Sequence, residues 1–263
     1  MPHEAKILWH CHPGNGPTIS LAVHAGHEIR TELLPYLAID EPIRIREEDP
    51  YTDFWTFACD HQIITRRSRF EVDLNRPRAD SICVQPGDCW NLNVWCEKLP
   101  DTLIEHSMTE HDAFYRMLGE ALSVLEREYG KFVVYDIHSY NHRRNGPCEA
   151  PADPAENPEI NIGTGTMNRR YWAPVVDHFM EDLRDFDFLG RSLDVRENVK
   201  FKGGYLAQFV HENFPDTGCA IAIEVKKLFM DEWTGVADPE QVNALRGALA
   251  ATVPGVTEEL ARL

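Results

Sequence analysis

Several things are missing from this chain of 263 residues. No apolar run approaches the roughly 18 residues that cross a bilayer, and residues 1–8 carry no leader-like apolar stretch, so neither a membrane span nor a secretory signal is expected. Basic residues are scarce. The 26 Lys and Arg against 43 Asp and Glu leave a formal charge of −17, which repels phosphate backbones and anionic bilayers and argues against nucleic-acid and membrane partners. The seven cysteines contain no C-x-x-C pair, which argues against a disulfide framework or a thiolate zinc knot and favours a reducing, cytoplasmic setting. The N-I-G-T-G-T segment at 161–166 lacks the G-K-[ST] of a phosphate loop, so no nucleotide site is expected. There is no internal repeat and no low-complexity tail.

What is present is the ordinary mixture of a chain that buries a core, with 43% hydrophobic and 26% charged residues. Short β-rich runs alternate with longer helical patterns, which predicts an α/β fold with a mainly parallel sheet and helices on its faces. Strands are expected over residues 18–23, 69–74, 132–137 and 219–223. Helices are expected over 53–65, 111–129, 168–186 and 239–252, with Thr52 and Thr109 as N-caps. Phe114, Met117, Leu118, Ala121, Leu122 and Leu125 recur at helical spacing, and Gly130 follows as a stop. The segment 145–161 carries four prolines without periodicity and is expected to be a long loop that covers the site.

The expected strands end on polar groups: His24, Asn75 with Arg76, His138, and Glu224. In open α/β sheets ligands bind beyond the carboxyl ends of strands, so these four ends could converge on one crevice. His24 in V-H-A-G and His138 in D-I-H-S read as metal ligands or as ordinary histidines. Asp53 reads as a carboxylate ligand or as a charge complementing a helix N-terminus, with Glu28 as the competing carboxylate. Glu224, inside the apolar run C-A-I-A-I-E-V, needs a reason to be there. Either it forms a structural salt bridge, to Lys226 or an arginine, or it is a general base. Residues 66–78 hold five arginines, suited either to a charged strand edge or to gripping an anionic substrate through planar guanidinium forks. His10, Cys11 and His12 imitate a metal tripeptide but have no partners at a recognisable spacing, and are expected at the surface.

Seven segments then occur in one order: V-H-A-G, T-D-F-W, S-R-F-E-V-D-L-N-R-P, D-I-H-S, N-I-G-T-G, F-K-G-G-Y and I-E-V-x-x-x-x-M-D-E. In that order the chain resembles the N-formylglutamate amidohydrolases, a family similar to zinc carboxypeptidases and to the aspartoacylase group. The resemblance implies a zinc-carboxypeptidase-like three-layer α/β/α sandwich with a mainly parallel mixed sheet, forming one catalytic domain over residues 1–263. It implies a Zn²⁺-dependent amidohydrolase that removes a formyl or other acyl group from a small, acidic amino acid. His24, His138 and Asp53 become the zinc ligands, with Glu28 as second choice for the carboxylate. Glu224 becomes the general base, Arg69 the oxyanion stabiliser, and Asn75 and Arg76 the clamp on the substrate α-carboxylate. Gln208 stands where the family pattern carries an arginine, and Arg143 and Arg144 are placed to replace that charge.

Overall fold

Seven strands form where β-branched and aromatic residues run without helical spacing: β1 (Trp9–His12), β2 (Thr18–Ala22), β3 (His61–Thr65), β4 (Phe132–Tyr140), β5 (Ile160–Gly163), β6 (Val195–Glu197) and β7 (Gly218–Lys226). All belong to one sheet in the computed structural model, which describes residues 8–263. Residues 1–7, most of the segment read as lacking a leader, lie outside the described residues. The strand order is β1-β3-β2-β4-β7-β5-β6. Strands β3, β2, β4 and β7 run parallel, while β1 is antiparallel to β3, and β5, which pairs in parallel with β6, is antiparallel to β7.

The helices are α1 (Glu41–Glu47), α2 (Thr52–Trp55), α3 (Asp101–Tyr129), α4 (Ala173–Asp185), α5 (Tyr205–Asn213) and α6 (Pro239–Arg262). Every residue of β4 is buried, as expected of a central parallel strand covered on both faces. Its side chains alternate between two cores. Phe132 and Val134 join Phe114, Leu118 and Leu122 of α3 and Leu206 and Val210 of α5. Val133, Tyr135 and Ile137 join Val176, Phe179 and Leu183 of α4 and Leu245, Leu249 and Val256 of α6. The architecture is therefore the three-layer α/β/α sandwich, and truncating a fully buried residue such as Leu118 to Ala would cost about 2–5 kcal/mol.

Several local expectations fail, among them Thr52 as an N-cap, since it lies inside α2 and Tyr51 precedes the helix. The helix expected over 53–65 ends at Trp55 and a 3₁₀ turn over Thr56–Ala58, because the β-branched His61–Thr65 run pairs between β1 and β2 as β3. Residues 69–74 bury Phe70, Val72 and Leu74 in strand-like alternation but form turns. The Glu71 and Val72 N–H groups bond back to the Ser68 carbonyl, and the Glu71 and Asp73 carboxylates are buried against arginines. Helix α3 starts at Asp101, so Thr109 lies inside it and donates to the Glu105 carbonyl rather than capping. Finally, Cys83 and Cys89 are joined in a disulfide with Cα atoms 5.9 Å apart, while five cysteines stay free.

Candidate active site

The chain leaves β2 towards β3 on one side, and the strand on β2's other side, β4, continues the sheet towards β7. The crevice beyond the carboxyl ends of β2 and β4 is thus a topological switch point, where open α/β sheets bind ligands. His24 follows β2 by two residues, and His138 stands near the end of β4. The parallel register sets His138 beside Glu224 of β7, whose other neighbour is Asn161 of β5. Along one face of β4 the side chains change from Phe132 and Val134 to Asp136 and His138, so a single strand carries core at one end and chemistry at the other.

Asp49 completes the group. Its N–H donates to the His24 carbonyl at 3.0 Å, and its own carbonyl accepts the Thr52 hydroxyl at 2.6 Å, so the residue is held from both sides just before the left-handed turn at Tyr51. His24 Nδ1, His138 Nδ1 and Asp49 Oδ2 face one another at 3.1, 3.2 and 3.3 Å. Behind them, Asp73 Oδ1 lies 2.7 Å from His24 Nε2 and Asp136 Oδ1 lies 2.8 Å from His138 Nε2. Carboxylates in those positions hold the ring proton on Nε2 and turn the Nδ1 lone pairs inward, the arrangement found behind metal-bound histidines.

Three inward-facing acceptors require something positive between them. A proton on His138 is one answer: burial lowers its pKa, but Asp136 and Asp49 hold it well above the usual value. A metal ion is the other. Bonds of about 2.0–2.1 Å in tetrahedral geometry place ligand atoms about 3.3–3.4 Å apart, close to the separations seen. Among the described residues, buried Asp49 Oδ1 also has no hydrogen-bond partner. Among the described residues this is the one group of three His, Cys, Asp or Glu residues whose ligand atoms converge, and its two imidazoles and one carboxylate fit a zinc-type cation with a corner left open.

Glu224 lines the same pocket, of roughly 220 Å³, and among the described residues its carboxylate has no hydrogen-bond or ion-pair partner. Burial pushes its pKa up to about 7. The salt-bridge alternative is therefore gone, since Lys226 donates instead to the Asn157 carbonyl. Arg69 also lines the pocket. It donates to Asp73 Oδ2 at 3.0 Å and to the Glu47 carbonyl, and lies 3.8 Å from Asp49 Oδ1.

Asn75 and Arg144 reach the pocket as well. Asn75 Oδ1 accepts the Leu206 N–H at the start of α5, and a Cβ at Gly204 would come within 2.3–2.5 Å of the Asn75 side chain, so the second glycine of F-K-G-G-Y makes room for it. Arg144 opens the 145–161 loop and pairs with buried Glu47 at 3.0 Å.

Other expected site residues fall elsewhere. Asp53 is exposed as the second residue of α2, four residues after Asp49, so Asp49 and not Asp53 is the carboxylate brought to the histidines. Glu28 pairs with Arg66 and Arg67. Arg76 is paired with Asp73 at 3.3 Å, Arg143 donates to the Pro147 carbonyl, and Gln208 donates to Glu212; none of the three lines the pocket. His10, Cys11 and His12 sit on edge strand β1, away from the cluster. Of the residues that were missed, Asp136 was readable as an acid two positions before His138 on the same strand face, while Asp49 gave no such signal.

A polar centre at the switch point of an α/β/α sandwich, with an unpaired acid beside it, is an arrangement suited to hydrolysis. The chain belongs to the N-formylglutamate amidohydrolase family, whose profile matches residues 16–230. The fold agrees. The crystal structure of N-formylglutamate amidohydrolase from Ralstonia eutropha JMP134 superposes with a TM-score of 0.76 at 16% identity, covering 97% of this chain and 98% of that one. A gene product of Agrobacterium tumefaciens superposes with a TM-score of 0.66, also at 16% identity, covering 95% of both chains. No curated protein sequence matches the chain.

Proposed function

We propose that the protein is a zinc-dependent hydrolase of N-formyl, or other small N-acyl, acidic amino acids, with N-formylglutamate as the first substrate to test. The observation that carries this reading is the unpaired Glu224 carboxylate, set by strand register beside a cluster of three inward-facing acceptors. His24, His138 and Asp49 would hold the zinc ion, which supplies Lewis acidity and a bound water of pKa near ~7. Glu224 takes the proton of the attacking water on its carboxylate as the water adds to the acyl carbon, then returns it to the leaving amine. Arg69, fixed by Asp73, faces the negative charge that develops on the acyl oxygen. With Arg76 committed to Asp73 outside the pocket, binding of a substrate carboxylate passes to Arg144.

The pocket of roughly 220 Å³ lies below the ~300–1,000 Å³ range of sites for drug-sized ligands, which favours a small acyl-amino acid over a peptide. Among the described residues no helix is long and apolar enough to cross a membrane. The five free cysteines favour a reducing setting, and the Cys83–Cys89 disulfide an oxidising one.

The test combines elemental analysis of the purified protein with a screen of N-formyl, N-acetyl and N-succinyl amino acids for amine release. About one zinc per chain and release from an N-formyl acidic amino acid are expected. Full activity after complete metal removal, or full metal content in both His138→Ala and Asp49→Ala, would overturn the metal assignment. Release from none of the substrates would overturn the activity.

A further inference from the structure

The pocket has an aromatic wall that the hydrolytic chemistry does not use. Trp90 lines it, and its ring lies under two guanidinium groups, with Arg69 Cζ 4.8 Å and Arg144 Cζ 5.8 Å from the ring centroid. Both arginines also line the pocket. The ring is held in place from behind. Phe70, fully buried, meets it edge-on at 6.0 Å, and Trp90 packs on the small core of Ile39, Phe70, Cys83, Cys89 and Val94. Its backbone is left-handed (φ +51°), as is that of Asn91 (φ +62°), a conformation that bulky residues rarely adopt and that persists only where the surroundings impose it. The surroundings do so here. The Cys83–Cys89 disulfide closes the loop just before Trp90, and the Asn91 and Leu92 N–H groups bond back to the Pro86 and Cys89 carbonyls at 2.8 Å each.

On the other side of Arg144, both oxygens of buried Glu47 accept its fork at 3.0 and 3.3 Å. Trp90 and Glu47 thus restrain this guanidinium, leaving its other N–H groups for a ligand. Lys202 lines the pocket too, and its ammonium has no hydrogen-bond or ion-pair partner among the described residues. In a chain of net charge −17, two guanidinium groups thus share one aromatic ring at the pocket.

We propose that Trp90 is a specificity-determining residue: it orients the Arg144 guanidinium to receive the side-chain carboxylate of an acidic N-acyl amino acid, while Arg69 stays with the polar centre. This rests on the activity proposed above and adds which end of the substrate is read, and by what. A planar guanidinium held between an indole and a buried carboxylate is preorganised for two parallel hydrogen bonds to a second carboxylate and offers much less to a carboxamide.

The experiment compares N-formylglutamate with N-formylglutamine, which differ in charge and not in size, in wild type, Trp90→Leu, Trp90→Phe, Arg144→Ala and the Trp90→Leu/Arg144→Ala double variant. Calorimetry of glutamate and glutamine binding runs beside it. Wild type should prefer the charged substrate. Cation–π contacts are worth about 3- to 30-fold in an equilibrium, so Trp90→Leu should lose a factor in that range from the glutamate-to-glutamine ratio, with the loss in KM more than in kcat. Trp90→Phe should restore most of it. In the Arg144→Ala background Trp90→Leu should remove little further preference, because the ring acts through the arginine. An unchanged ratio in a folded Trp90→Leu protein, or equal losses in both backgrounds, overturns the proposal. If Leu prevents folding, Trp90→Met fills similar space without a ring and reads the same ratio. If wild type hydrolyses neither substrate, the activity proposed above fails, and the calorimetric preference for glutamate still decides whether the subsite exists.

Discussion

The inner and outer halves of the pocket are built by different means. His138 and Glu224 stand side by side because β4 and β7 share a register, and His24 is two residues beyond β2, so the sheet itself sets their separations. Trp90 and Arg144 come from segments with little regular structure, and they are placed by a disulfide, a ring contact, a buried carboxylate and two left-handed residues. The inner half has one solution once the sheet forms. The outer half depends on many separate contacts, any of which can change without disturbing the sheet. Groups that perform chemistry gain from rigid elements, whereas groups that select a substrate can sit on loops that tolerate variation.

The sharpest way to separate the halves is Glu224→Gln. It should lower kcat by about 10²–10⁴-fold with metal content and melting temperature close to wild type, because it removes only the proton acceptor. Normal turnover in that variant would mean that the inner half does not perform the chemistry.

The next effect concerns the scaffold behind the inner half. His211 of α5 accepts the Ala220 N–H of β7 on Nε2 and meets Thr166 Oγ1 with Nδ1, so the ring must be neutral, and burial pushes its pKa down to about 4. Its unfolded value is near ~6.5, so the unfolded chain binds the extra proton first. Stability is therefore intact above about pH 6.5 and is lost as pH falls through about 4. Between pH 7 and pH 5 this one group should cost about 2 kcal/mol in denaturant unfolding, and His211→Gln should reduce that slope. Parallel pH profiles for the two proteins would remove His211 as the cause.

The smallest effect belongs to the outer half. Arg144 is half-exposed and already paired with Glu47, so Arg144→Ala should raise KM for an N-formyl acidic substrate by about tenfold, at the low end for hydrogen bonds to charged groups, and should affect kcat less. A loss confined to kcat would place Arg144 with the inner half and break the division.

The same division governs what could be read in advance. His24, His138 and Glu224 were legible because a polar residue at the end of an apolar run has few uses, and Asp136 could have been added from the two-residue period of a strand. Asp49 was not legible. The run Glu47-Glu48-Asp49 looks like a solvated acidic patch, yet all three are buried, with Glu47 on Arg144 and Asn141, Glu48 on His27 and Ser68, and Asp49 on the two histidines. Asp53, the expected ligand, carried the better local pattern and lies at the surface. Residues 69–74 alternate as a strand does, and only the pairing of Glu71 with nearby Arg67 and distant Arg30 reveals why the backbone turns. Trp90 was overlooked because nothing in a Cys-Trp-Asn sequence announces two left-handed residues in succession.

The switch-point placement also sets an order of assembly. His24 and His138 are 114 residues apart in sequence, and Asp49 and His138 are 89 apart, so no local segment contains the cluster. The three groups meet only after the intervening chain, β3 and the long α3 included, has closed and β4 has docked along β2. Long-range closures of this kind come late in folding, since their entropy must be spent before the contacts reward it. A nascent or partly folded chain therefore holds at most two of the three groups together. Convergence of these three acceptors is thus a property of the finished fold.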